Sequence, residues 1–168
     1  MPSTYTPIAT QTLGSAAASV TFNSISGAYT DLIIVSNLAV ATAGTSLNIR
    51  FNGDSGNNYS YTNLYGDGSA AASVRGTNAT KGYVAWYVSP NTSIEMVAIT
   101  QVMNYSNSTT NKTTLSRSNR ASANNFPGAE AVVSLWRNTS AITSIVIAAD
   151  SGNISTGSTF TLYGVKSA

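Results

Sequence analysis

The chain has 168 residues, 42% of them hydrophobic, enough for one domain and too few for two well-packed ones. Charged residues make up only 8%, against about 25% in an ordinary soluble domain, while Ser, Thr and Asn together number 64. The net charge of +2 gives a pI of 9.0 on a nearly uncharged chain, which is no nucleic-acid footprint, and the absence of His and Cys excludes thiol nucleophiles, disulfides, Cys/His zinc sites and imidazole bases.

From the N-terminus, Met1-Pro2-Ser3-Thr4-Tyr5 lacks a basic segment and an apolar core. No apolar run approaches the ~18 residues needed to cross a bilayer. The expectation is a protein made and kept in the cytosol, or packaged from it, with no membrane partner. Residues 1–6 read as an extended arm before a single domain that fills residues 1–168.

The apolar residues then fall in short bursts divided by Gly, Asn, Ser and Asp, the pattern of strands and turns. Strands are predicted at Ile8–Leu13, Ser19–Ile25 and Thr30–Val40. In the third, the run Leu32-Ile33-Ile34-Val35 points to a central strand buried on both faces. Further strands follow at Ser46–Phe51, Tyr59–Tyr65, Gly82–Val88, Ser93–Tyr105, Lys112–Arg117, Ala131–Arg137, Ala141–Ala149 and Ser158–Lys166. The last two are expected to pair as a loose hairpin. Gly68–Gly82 and Ser106–Thr114 read as loops, and Gly128-Ala129-Glu130-Ala131 is the single local helix cue. Turn signals such as Asn52-Gly53, Gly66-Asp67-Gly68 and Pro127-Gly128 separate the strands. With no helix to cover a sheet, the fold class is all-β, a two-sheet antiparallel β-sandwich of jelly-roll type; an up-and-down barrel satisfies the same periodicity.

The loop Phe51–Tyr59 offers Asp54 and several amide oxygens but too few carboxylates for Ca²⁺, so a turn is the better reading and no metal is expected. The acids Asp31, Asp54, Asp67, Glu95, Glu130 and Asp150 carry no partner motif for a glycosidase pair. Neither an enzyme nor a cofactor is expected. Tyr59, Tyr61, Tyr83, Trp86 and Tyr87 alternate as cross-strand packing pairs do, and with Trp136 and Arg137 they also suit a sugar or protein surface. Tyr59, Tyr61, Trp86, Trp136 and Arg137 form the candidate interface or ligand face. Lys112, Arg117 and Arg120 are placed to meet an acidic partner. Eight Asn-X-Ser/Thr triplets, from Asn58 to Asn153, match the richness in these residues and predict no glycans in the absence of a signal segment.

Tyr5-Thr6-Pro7-Ile8-Ala9-Thr10, Tyr29-Thr30-Asp31-Leu32, Arg50-Phe51-Asn52-Gly53-Asp54, Asn57 with Tyr59, and Ser158-Thr159-Phe160-Thr161-Leu162-Tyr163-Gly164-Val165-Lys166 resemble small virion structural proteins of tailed bacteriophages, including cyanophages. The resemblance implies a head-decoration (cement) protein bound to the major capsid protein or to other virion proteins. A tail-fibre or tail-associated module binding carbohydrate or a receptor is the alternative. Low charge lowers the desolvation penalty of packing on neighbours, and symmetric self-association, as in a trimer, would bury exposed Tyr and Trp.

Overall fold

The structure, a computed structural model, describes residues 4–42, 44–87, 92, 95–120 and 128–166. Among them there is no helix, and the chain forms two antiparallel sheets. The strands are β1 (Tyr5–Thr12), β2 (Ser19–Phe22), β3 (Asp31–Leu38), β4 (Leu47–Phe51), β5 (Tyr59–Gly66), β6 (Ala71–Ala79), β7 (Gly82–Ala85), β8 (Met96–Met103), β9 (Lys112–Arg120), β10 (Gly128–Trp136), β11 (Ile145–Ala149) and β12 (Thr159–Val165). The larger sheet runs β1-β12-β3-β8-β9-β10-β5-β6 and the smaller β2-β11-β4-β7.

The sheets share one core because side chains alternate between the two faces of a strand and most strands place apolar ones inward. Leu32, Ile34 and Leu38 of β3, Val102 of β8, Trp136 of β10 and Phe160 and Leu162 of β12 meet Val20 and Phe22 of β2, Leu47, Ile49 and Phe51 of β4, and Ile145 and Ile147 of β11. Connections contribute Ile25, Val40, Tyr105, Ile142 and Ile154. Between β8, β9 and β10 the inward positions turn polar: Thr100, Thr114, Ser116, Ser118 and Ser134 are buried. Thr100 Oγ1 lies 2.9 Å from Ser116 Oγ, Ser116 Oγ donates to the Val84 carbonyl of β7 at 2.7 Å, Ser134 Oγ accepts the Tyr83 N–H and Ser118 Oγ donates to Glu130, while Thr114 Oγ1 has no hydrogen-bond partner among the described residues.

Several expectations need correction. Ala71–Ala79 is strand β6 rather than loop; it escapes the apolar pattern because it is a sheet edge with few large side chains to bury. Gly128–Ala131 is extended, since every residue from 128 to 136 pairs with β9. β3 is central, but only its inward face is fully buried; Ile33 and Val35 are half-buried on the outer face. β11 and β12 do not pair, because the chain crosses between sheets there: β12 lies between β1 and β3, and β11 between β2 and β4. Asn52-Gly53 makes its tight turn, with φ of 51° and 70° and the Asp54 N–H on the Phe51 carbonyl at 2.9 Å. The strands it joins nevertheless enter different sheets. Of the segment read as an arm, residues 1–3 lie outside the described residues, while Tyr5 and Thr6 pair with Val165 and Gly164.

Candidate functional site

Two of the proposed interface residues belong to the core. Tyr59 opens β5 and Trp136 closes β10, and the two face each other across the strand pair. Both are buried, stacked at 6.4 Å with Phe51 against them. They therefore cannot present a ligand face. Asp54, in the loop before β5, satisfies their polar tips: Trp136 Nε1 donates to Oδ2 at 2.7 Å, and the Tyr59 hydroxyl donates to the Asp54 carbonyl while accepting the Phe51 N–H at 3.1 Å. Asn58 and the Gly56 N–H complete the set around the carboxylate. Burial acts to raise this carboxyl's pKa, but the donors from Trp136, Asn58 and Gly56 outweigh it and hold the group below its ordinary value. Burial pushes the Tyr59 phenol up to about 12.

Tyr61 and Trp86 stay half-buried in an aromatic group beside the core. Tyr61 meets Tyr83 edge-on at 4.8 Å and Trp86 at 5.5 Å, and Tyr65 stacks on the exposed Tyr87 at 3.7 Å. Glu130 of β10 fixes this corner by accepting the N–H groups of Trp86 and Tyr87 at 2.9 and 3.0 Å.

Arg137 is structural: it donates to the Asn57 carbonyl and to Asn78 Oδ1, tying the start of β5 to the end of β6. The expectation that Lys112 meets a partner is overturned. The residue is fully buried, and Nζ donates to the carbonyls of Thr110 and Thr139 at 2.6 and 2.9 Å. Burial lowers its pKa. The remaining acids also hold backbone or side chains. Asp31 accepts the Asn104 N–H, Asp67 the N–H groups of Ala70 and Ser69, Asp150 the side chains of Lys81 and Asn48, and Glu95 the Asn37 amide. Among the described residues no group of three or more carboxylates comes together to hold a metal.

A more extensive feature lies on the outer face of the larger sheet. Strand register sets Val35, Ile99, Arg117, Ala131 and Leu64 side by side in one row, and Tyr163, Ile33, Gln101, Leu115, Val133 and Thr62 in the next. Leu64 is 58% exposed, Val133 46% and Ile99 37%. Arg117 stands near the middle, where a shallow groove of about 790 Å³ takes in Leu64, Ser73, Asn119 and Ala129. This face went unrecognised as a surface because its sequence signal, strands apolar at consecutive positions, reads equally as double burial.

Comparisons of the chain with protein-family models, with curated proteins and with solved structures find no match.

Proposed function

We propose that the protein is a non-enzymatic structural component of a phage virion, a decoration or cement protein whose outer sheet face seats on the shell. The observation that carries the interface role is the double aliphatic row around Val35, Ile99, Leu115 and Val133. Contiguous apolar surface of this kind marks protein contact. Its charged members are Arg117 and, at the margin, Arg75, so little charge is desolvated on docking. The virion setting rests on the residue resemblance described above. The partner is the major capsid protein or another virion protein, the location is the virion after synthesis in the host cytoplasm, and neither metal nor cofactor is invoked.

The finer fold reading is a jelly roll. The orders β1-β12-β3-β8 and β2-β11-β4-β7 support it, because β1·β12, β2·β11, β3·β8 and β4·β7 nest as a single folded ribbon of two Greek keys. The hairpins β5–β6 and β9–β10 are insertions that widen one sheet. Jelly rolls serve both viral shells and lectins. The exposed Tyr87 ring stacked on Tyr65 favours the second reading, a tail-associated carbohydrate-binding module.

Binding of the purified chain to phage shells assembled without it tests the proposal. Saturable binding is expected, weakened at least about tenfold by Ile99→Glu or Val133→Glu with melting unchanged, as for central interface residues. Shell binding unaffected by both substitutions overturns the docking face. Glycan binding lost on Trp86→Ala, with no shell binding, establishes the alternative.

A further inference from the structure

A sheet edge exposes unpaired N–H and C=O groups that template pairing with another strand, and folded proteins usually close such edges. Three of the four edges here are closed. β1 carries Pro7, followed by a register shift before Ala9. β2 is only 4 residues long, and Gln11 Nε2 donates to its Thr21 carbonyl at 2.7 Å. β7 is closed from the facing sheet: Ser134 Oγ accepts the Tyr83 N–H at 3.1 Å, Ser116 Oγ donates to the Val84 carbonyl, and Glu130 takes the N–H groups of Trp86 and Tyr87 just past the strand.

β6 is different. Its far end breaks register with β5 between Gly76 and Ala79, where Asn78 has φ of 54°, a bulge that bends that end away. Ala71–Gly76 pairs with β5 in unbroken register and holds no proline. The Asp67 N–H on the Ala70 carbonyl sets which pairs of the β5–β6 hairpin exchange hydrogen bonds. By alternation, Ala72, Val74 and Gly76 turn their backbone groups to β5, and Ala71, Ser73 and Arg75 turn theirs outward. Among the described residues, nothing bonds to those outward groups.

We propose that Ala71–Gly76 is a self-association edge, through which two copies of this chain pair antiparallel about a two-fold axis at Ser73. Ala71 of one copy then lies opposite Arg75 of the other, and Ser73 opposite Ser73, so the outward N–H and C=O groups of these residues meet partners. Charge selects this register. Arg75 is the one charged residue of β6; an axis at Arg75 would set two guanidiniums face to face, whereas an axis at Ser73 gives each a neutral neighbour. The other side chains are small or neutral on both faces, and a net charge of +2 leaves little repulsion between copies. A two-fold edge pair is an isologous contact, joining the larger sheets of both copies into one. It does not depend on the virion reading and concerns the isolated chain.

The experiment is sedimentation velocity of the full-length chain over a concentration series, with amide hydrogen exchange read by NMR. The expected result is a monomer–dimer equilibrium in which the Ala71, Ser73 and Arg75 amides gain protection as the dimer forms. Ser73→Pro, which removes an outward donor that the fold does not use, should weaken dimerisation at least about tenfold. Ser73→Lys, which sets two cations across the axis, should do the same if the proline variant fails to fold. A wild-type chain that stays monomeric at millimolar concentration overturns the proposal. So does a dimer that survives Ser73→Lys and is broken by Val133→Glu, since that dimer would use the sheet face.

Discussion

Trp136 donates its indole N–H to Asp54 Oδ2 at 2.7 Å, joining residues 82 positions apart. One carboxylate thereby holds the end of β10, the start of β5 and the turn after β4. Asp54→Ala leaves the Trp136 N–H without its acceptor, and a buried donor to a charged group is worth about 2 kcal/mol. Thermal denaturation should show a loss of about that size, with Trp136 fluorescence altered in the folded state. The same pin sets an acid limb. Because the folded pKa lies below 3.8, its stabilisation is present above that pH and is lost as pH falls through the folded value. Asp67, held down to about 2 by the N–H groups of Ala70 and Ser69 and by the Ser69 hydroxyl, adds in the same direction. Melts between pH 5 and about 2 should show falling stability, with a shallower fall in Asp54→Asn.

At high pH the sign reverses. Burial raises the Tyr59 and Tyr83 phenols from 10.0 to about 12, so the folded state keeps protons that the unfolded state releases. Their stabilisation is complete below pH 10 and is lost progressively as pH rises toward 12. Tyrosinate absorbance should show an early class of exposed phenols and a late class that ionises together with loss of the near-ultraviolet dichroism. A single unresolved titration of all nine tyrosines on a folded chain would contradict this.

Gly164 on β12 lies beneath the ring of Tyr29, and a Cβ added there would stand 2.4 Å from the ring carbons. Gly164→Ala should destabilise the fold by about 1–3 kcal/mol through overpacking. The Tyr29→Ala background should remove most of that penalty, so a double-mutant cycle with a coupling near zero would reject the ring contact as the cause.

Most strands were legible because short runs rich in apolar and β-branched residues are separated by Gly, Asn, Ser and Asp; within them β3, β8, β10 and β12 each bury every second side chain. β6 was not, since an edge strand such as Ala71–Ala79 needs no apolar stripe to hold its place. Sheet order was equally hidden. Nothing local in Ile145–Ala149 or Thr159–Val165 distinguishes pairing with each other from pairing with strands about a hundred or more residues upstream, as periodicity alone carries no partner information. For the candidate face, residue type suggested surface aromatics, but Tyr59 and Trp136 found their hydrogen-bond partners inside, at Asp54. The exposed aliphatic rows arise only from register, which sets Leu115 beside Val133.

Strand β12 should be indispensable, for a reason that the topology makes specific. It lies between β1 and β3 with all of Thr159–Val165 paired to β3 on one side and to β1 on the other. Phe160 and Leu162 are buried in the shared core. Deleting residues 159–168 strips β3 of a neighbour, leaves β1 with no strand to join, and opens a cavity where two large side chains stood; losses of about 2–5 kcal/mol for each such side chain, added to the lost pairing of two strands, consume the roughly 5–15 kcal/mol by which such a domain is stable. The truncated chain should be insoluble or lack a cooperative melt. Deleting residues 1–4 removes no strand residue, so that chain should remain folded with its melting temperature nearly unchanged. Soluble, cooperatively melting protein from the first deletion would refute the role assigned to β12, and unfolding of the second would show that the residues before β1 carry structure.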